Sequence, residues 1–304
     1  MVKIAILGFG TVGSGVDLVL RENADVIKQR AGQEINVKYV LDLRDFPDDP
    51  IQEKIVHDYN MILDDPEISI IAEVMGGVEP AYTFVKQALE AGKSAVTSNK
   101  ELVAVHGSDL LKTAKEKGVN FLFEASVGGG IPVLRPLTQA VLADQIKEIS
   151  GILNGTTNYM LTRMDEEGIA YDEVLSQAQD MGYAERHPEA DVEGYDACRK
   201  IAILSSLVCG RQVGYEDIHT EGITDITEKD FAYAAALGGS IKLLGTSLLD
   251  GDGISSKVSP VFIYKDKDVY TDVAHKIFKL SDEYYNLVIY EVTEKTLHAK
   301  VLIS

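Results

Sequence analysis

The chain reads as an α/β protein, with an N-terminal doubly wound parallel sheet and a second, α+β domain behind it. Two observations predict the first part. Short apolar runs alternate with amphipathic stretches as far as Phe123, and a Gly-x-Gly-x-x-Gly turn follows the first run directly. A third predicts the second part. Gly128-Gly129-Gly130-Ile131-Pro132 breaks the alternation, and long helices and a hairpin pattern follow it.

The elements follow in order. Lys3–Leu7 is a strand, Thr11–Asn23 a helix, and Val37–Leu41 and Ile68–Met75 are strands. Glu79–Ala91 is a helix with Pro80 in its first turn, where a missing N–H costs nothing. Ser94–Thr97 is a strand, Glu101–Lys117 a helix that Gly118 ends, and Val119–Phe123 a strand. Right-handed crossovers between such units give the doubly wound sheet. Beyond the glycines come a helix at Val133–Leu142, a strand at Ile146–Leu153, and helices at Asp172–Met181 and Tyr195–Cys209. Ser240–Ile263 reads as two strands turning at Asp250-Gly251-Asp252-Gly253, a hairpin signal. The expected domains are 1–130, 131–263 and a tail, 264–304. The tail carries a helical stretch, Val269–Leu280, and two strand-like runs, Leu287–Val292 and Leu297–Ile303, with Thr293-Glu294-Lys295-Thr296 as a turn between them.

Composition narrows the function classes. With 304 residues the chain has room for two domains and a sizeable core. It carries 48 Asp and Glu against 29 Lys and Arg, a net charge of −19. Such a field repels phosphate backbones and anionic lipid, which argues against nucleic acid or a membrane as partner. A local cationic pocket can still hold an anionic cofactor. The apolar run before Gly8 is too short for a signal peptide, and nothing approaches a membrane span, so a cytoplasmic protein is expected. Cys198 and Cys209 fall in one helix. Roughly 16 Å of rise separates them, too far for a disulfide, and a reducing compartment fits. The six histidines are scattered without metal-ligand spacing, and no Ser/His/Asp set is apparent.

Five constellations carry chemistry. Gly8-Phe9-Gly10-Thr11-Val12-Gly13 sits between a strand and a helix. That context makes it a pyrophosphate-binding turn at a helix N-terminus, and the domain Rossmann-type. At the end of the second strand, Asp42 suits a ribose 2′-OH and NAD, whereas Arg44 suits a 2′-phosphate and NADP; the residues leave both open. Thr97-Ser98-Asn99-Lys100 ends a strand, which puts Lys100 either at a ligand site or simply exposed in a first helical turn. Glu124 and the glycine-rich loop after it form an interdomain hinge, an oxygen-donor site for a hard monovalent cation, or both. Gly182-Tyr183-Ala184-Glu185 and Asp191 precede Asp196 and Lys200, which are four residues apart and share a helix face beside the apolar stripe of Ala197, Ile201, Leu204 and Val208. That pair is either an ordinary helix ion pair or a proton-moving lysine beside its carboxylate.

Taken together these segments resemble the homoserine dehydrogenase family. The likeness runs through Gly8–Gly13, Thr97–Glu101, Phe123–Pro132, Gly151-Ile152-Leu153-Asn154-Gly155-Thr156-Thr157-Asn158-Tyr159, Gly182–Glu185 and Asp191–Lys200. The segments stand in family order over residues 1–263. The resemblance implies an NAD(P)-dependent oxidoreductase that interconverts L-aspartate 4-semialdehyde and L-homoserine, in threonine, methionine and isoleucine biosynthesis. It implies Lys200 as catalytic acid/base, Asp196 orienting it or the substrate, and Lys100 near the nicotinamide and the reacting oxygen. Glu185, Asp196 and Asp191 would bind the amino-acid substrate. Gly8, Phe9, Gly10, Thr11, Val12, Gly13, Arg44, Ser98, Lys100 and Gly182 would bind the cofactor. Glu124 with backbone oxygens of Val127, Gly129 and Ile131 would hold a sodium ion, and a homodimer through the second domain is implied.

The tail departs from the family. No Gly-Arg-Gly-Ala-Gly-Gly-like closing turn with Pro-Thr is present, nor a segment resembling the regulatory domain many members carry, so feedback through one is not expected. The departure opens two alternatives: a catalytically weak cofactor-binding dimer, or a related two-domain dehydrogenase of a small aldehyde. The paired carboxylates Glu185 and Asp196, suited to a substrate ammonium, argue against the second.

Overall fold

Apolar runs that alternate with amphipathic helices must bury both faces of the strands they form. The computed structural model describes residues 1–140, 146–251, 253–265, 277–281 and 286–290. These fall into two compact units, Met1–Gly130 and Ile131–Lys295.

The first unit runs β1 (Val2–Leu7), α1 (Thr11–Glu22), α2 (Ala24–Ala31), β2 (Ile35–Leu41), β3 (Ile55–Val56), α3 (Asn60–Leu63), β4 (Ile68–Glu73), α4 (Ala81–Glu90), β5 (Ser94–Thr97), α5 (Lys100–Lys117) and β6 (Phe121–Leu122). All six strands are parallel, in the order β3-β2-β1-β4-β5-β6. The connection reverses direction at β1, and the glycine turn leaves the carboxyl end of that strand. Ile4, Ala5, Ile6 and Leu7 are all buried, the unbroken apolar run of a strand covered on both faces. Val16 and Leu20, one helical turn apart, seat α1 on a core with Ile4, Ile6, Val37 and Val40. Asn99 caps α5 by accepting the Leu102 N–H at 3.1 Å, and Gly118 ends that helix in a left-handed conformation. Pro80 stands at the N-cap of α4, just before the helix.

The second unit runs β7 (Glu148–Ile152), α6 (Gly155–Glu167), α7 (Tyr171–Asp180), α8 (Glu189–Val192), α9 (Tyr195–Cys209), β8 (His219–Thr220), α10 (Glu228–Ala236), β9 (Gly239–Asp250), β10 (Gly253–Tyr264), β11 (Ile277–Ser281) and β12 (Asn286–Tyr290). Its mixed sheet is ordered β12-β11-β7-β9-β10-β8. The expected hairpin pairs β9 with β10 antiparallel over their whole length. Helix α9 packs on it closely: a Cβ added at Gly245 would fall 2.6 Å from Leu153 and 3.3 Å from Ile201. Cys198 and Cys209 are free thiols in α9. Among the described residues no helix is long and apolar enough to cross a membrane.

Several elements differ from expectation. Part of the helix expected at Val269–Leu280 is a strand: Ile277–Ser281 pairs antiparallel with both β7 and β12. Its apolar residues are spaced to satisfy a helical stripe, yet an open edge of β7 offers backbone bonds that a short helix cannot match. Asn286–Tyr290 is a strand as expected, but its partner is β11. The Leu297–Ile303 run and the Thr293–Thr296 turn lie outside the described residues. The helix expected at Val133–Leu142 begins at Leu134 and widens into a π-helical turn over Pro136–Ala140.

Candidate functional site

In the first unit the glycine turn is built for close approach. A Cβ on Gly13 would lie 2.1 Å from the Gly8 carbonyl oxygen, so only glycine lets α1 start this close to β1. Among the described residues, a Cβ on Gly10 would meet nothing within 4 Å. No side chain among the described residues caps α1, and Gly10, Thr11 and Val12 are exposed. The first-turn N–H groups and the positive end of the helix dipole are thereby open to an anion. These features fit a dinucleotide pyrophosphate. Phe9 plays a different part: its ring is buried edge-on against Phe46, with centroids 5.1 Å apart.

The end of β2 is locked to this turn. Asp42 accepts the Phe9 N–H at 2.8 Å and the Arg44 N–H at 2.9 Å. It also takes the Arg44 guanidinium at 3.0 Å on each carboxylate oxygen. Arg44 in turn donates to the Phe9 carbonyl at 3.1 Å. The guanidinium hydrogen bonds hold the Asp42 carboxyl down to about 2 against the opposing effect of burial. Both Asp42 oxygens are thus engaged within the chain, whereas the Arg44 side chain is 62% exposed.

Ser98 and Lys100 flank Asn99 and are both half-buried, with Lys100 in the first turn of α5. Glu124 opens a 3-10 turn that Ser126 closes, Val127 is buried, Gly129 is left-handed, and Ile131 is buried at the start of the second unit. Among the described residues no group of three or more His, Cys, Asp or Glu side chains gathers around a possible metal ion.

In the second unit four side chains converge. Asp196 in the first turn of α9 and Lys200 one turn later are both buried. The Lys200 ammonium is 2.5 Å from Asp196 Oδ2 and donates to the Leu153 carbonyl at 3.0 Å. Asn154 gives its amide N–H groups to Asp191 Oδ1 at 2.7 Å and Asp196 Oδ2 at 2.9 Å. Its carbonyl accepts the Thr157 N–H at 2.8 Å and so caps α6. One asparagine therefore fixes two carboxylates and a helix start. The cluster thus sets two carboxylates beside one ammonium. An ammonium carries three protons, and two are placed here, so one donor can meet a substrate oxygen.

The structure brings Asp191, Asp196 and Lys200 together. It does not join Glu185 to them: that side chain is exposed, and its backbone carbonyl accepts from Gln179. Gly182 is exposed and left-handed. Their loop is tied to the first turn of α6 by a 2.8 Å bond from the Thr156 hydroxyl to the Tyr183 carbonyl.

Comparison with known proteins agrees with this geometry. Residues 132–295 match the family model for homoserine dehydrogenase, and residues 8–124 match that for the NAD-binding domain of homoserine dehydrogenase. The chain belongs to the homoserine dehydrogenase family. It is 42% identical over 269 residues to the homoserine dehydrogenase of Bacillus subtilis, covering 86% of this chain and 61% of that protein. The chain thus spans about three fifths of that relative's length. A homoserine dehydrogenase structure from Thiobacillus denitrificans superposes with a TM-score of 0.90 at 38% identity, covering 98% of this chain and 70% of that one. A putative homoserine dehydrogenase from Archaeoglobus fulgidus gives 0.88 at 29% identity, covering 99% and 96%.

Within this homoserine dehydrogenase-family chain, sequence reasoning passed over Asn154. An asparagine before Gly-Thr-Thr is an N-cap signal, but its contact with Asp191, 37 residues away, is not readable from spacing.

Proposed function

We propose that the chain is an NAD(P)-dependent dehydrogenase that interconverts L-aspartate 4-semialdehyde and L-homoserine. The observation that carries this reading is the buried Lys200 ammonium, held by Asp196 and the Leu153 carbonyl with one donor to spare, beside a second carboxylate on Asp191. The first unit would hold the dinucleotide at the uncapped start of α1, and the bound nicotinamide supplies or accepts the hydride. Lys200 stabilises the charge that grows on the aldehyde oxygen and gives it a proton. In the reverse direction it takes the hydroxyl proton of homoserine. Asp196 holds Lys200 in place, and carboxylates such as Asp191, with Glu185 nearby in sequence, are the chemistry that pairs with the substrate ammonium. The family resemblance assigns Lys100 as a second cation for the reacting oxygen, and Ser98 and Gly182 to the cofactor.

The reading favours NADP. Both Asp42 oxygens are already engaged, so a ribose 2′-OH has no carboxylate to itself, while the exposed Arg44 guanidinium retains N–H donors for a 2′-phosphate. Glu124 and the carbonyls of Val127, Gly129 and Ile131 are the donor chemistry a sodium ion takes. A homodimer and a place in amino-acid biosynthesis complete the reading. Homoserine-dependent reduction of NADP+ by the purified protein tests it. Turnover that Lys200→Ala abolishes supports the assignment, and absence of turnover with either dinucleotide overturns it.

A further inference from the structure

At the carboxyl end of the central strand β4, Glu73 is completely buried. It lies between Leu7 of β1 and Thr97 of β5 in the sheet register. Among the described residues no cation pairs with it. Its Oε1 accepts the Met75 N–H at 2.8 Å, and its Oε2 accepts the Thr97 hydroxyl at 2.6 Å. Thr97 Oγ1 accepts the Asn99 N–H at 2.9 Å, and the Asn99 side-chain amide donates to the Gly77 carbonyl at 2.6 Å. The chain of bonds therefore closes on itself: it leaves the 75–77 loop at Met75, crosses to β5, and returns at Gly77. Thr97 and Asn99 are buried as well.

Both ends of this circuit touch the proposed dinucleotide site. Met75 packs against the glycine turn so tightly that a Cβ on Gly8 would lie 3.0 to 3.2 Å from three of its atoms. Asn99 is the N-cap of α5 and directly precedes Lys100. A carboxylate sealed away without a cation is unfavourable unless hydrogen bonds replace its water. Burial in β4 does not call for one, since an apolar side chain needs no hydrogen bonds there. What the carboxylate adds is two strong, oriented bonds that fix two loops relative to each other.

We propose that Glu73, acting through Thr97 and Asn99, is a positioning residue that sets the loops at 75–77 and 98–100 for dinucleotide binding. The proposal rests on the cofactor reading above. Thr97→Val keeps the side-chain shape and removes the hydroxyl link; Thr97→Ser keeps the link. Glu73→Gln keeps one acceptor where two are used, so either the Met75 N–H or the Thr97 hydroxyl proton loses its partner. The readout is the dissociation constant of NADPH, followed by its nicotinamide fluorescence, beside the thermal unfolding midpoint. Thr97→Val and Glu73→Gln are expected to weaken binding on the order of tenfold. Thr97→Ser should restore it, and the Glu73→Gln/Thr97→Val double variant should bind no worse than the weaker single one. Unchanged NADPH binding in Thr97→Val, or equal loss in Thr97→Ser, overturns the proposal and leaves the dehydrogenase reading intact. Wild-type protein that binds neither NADPH nor NADH overturns the cofactor reading itself. Should Glu73→Gln fail to fold, the two Thr97 variants read the same link.

Discussion

Lys200 and Asp196, one turn apart on α9, form a buried ion pair whose ammonium also reaches the carbonyl of Leu153 at the end of β7. The carbonyl contact separates it from an ordinary exposed helix pair, because it directs the lysine toward the strand end instead of solvent. Loss of a positioned proton donor costs about a hundred- to ten-thousandfold in turnover. Lys200→Ala also takes the ammonium from a buried ion pair, a loss of about 3–5 kcal/mol in comparable pairs. Lys200→Arg is therefore the sharper variant, since it keeps the cation but holds its proton. Its homoserine turnover is expected to fall at least a hundredfold with NADPH affinity unchanged; steady-state rates and equilibrium binding check both halves.

Asn154 separates two jobs that can be tested apart. Asn154→Asp preserves the oxygen that caps α6 and so preserves the helix start. It removes the amide hydrogens that sit between Asp191 and Asp196 and adds a third negative charge there. Like charges in one site raise carboxyl pKa values, so the acid limb of kcat/KM for homoserine is expected to move to higher pH. Asn154→Ala loses the cap too and should be about 0.5–2 kcal/mol less stable on that account. A pH–rate profile of Asn154→Asp superposable on wild type would remove the asparagine from the site.

The parts of this molecule legible in the sequence are those with a local cause. β1 is an unbroken apolar run, the glycine turn follows it at once, and the Asp250–Gly253 turn joins two alternating strands. Lys200 and Asp196 are four apart on a helix with its own apolar stripe. Where two periods fit the same residues the reading went astray. Ile277 and Leu280 complete a helical stripe with Val269 and Val273, but β7 takes up 277–281 as a neighbour strand. Helix α6 was hidden because Gly155-Thr156-Thr157 is poor helix-forming sequence, and only the Asn154 cap makes it a start. Glu73 gave no signal at all, since its meaning depends on Thr97, a strand partner 24 residues away.

The Asp42–Arg44 lock makes a pH prediction with a definite sign. In the folded chain the Asp42 carboxyl lies at about 2, below its ordinary 3.8. Its contribution to stability is therefore complete above the ordinary value and is lost as pH falls toward 2. Asp42→Asn should flatten the acid-denaturation curve of the first unit across that interval, and urea titrations at pH 3 and pH 7 measure the change. Arg44→Ala should bring the carboxyl back up, visible in its NMR titration. The same variant should weaken NADP+ by about ten- to a hundredfold and NAD+ far less, because only NADP+ carries the 2′-phosphate. Equal losses for the two dinucleotides would argue against Arg44 as the phosphate ligand.

Gly10 and Gly13 offer a paired test of the dinucleotide site, because the two glycines are required for different reasons. At Gly13 an added methyl collides with the Gly8 carbonyl at 2.1 Å, so Gly13→Ala must push α1 off β1. Both stability and binding should suffer. At Gly10 the backbone is extended, with φ −89° and ψ −156°, outside the left-handed region that favours glycine, and among the described residues the methyl meets no protein atom within 4 Å. Gly10→Ala should fold with an unfolding midpoint like that of wild type. The space its methyl fills is the space a pyrophosphate needs to reach the first-turn N–H groups of α1, so NADPH affinity should drop on the order of tenfold or more. A normal midpoint with weakened NADPH binding ties the open face of Gly10 to the cofactor. Undiminished NADPH affinity in Gly10→Ala would show that the phosphates bind elsewhere on the unit.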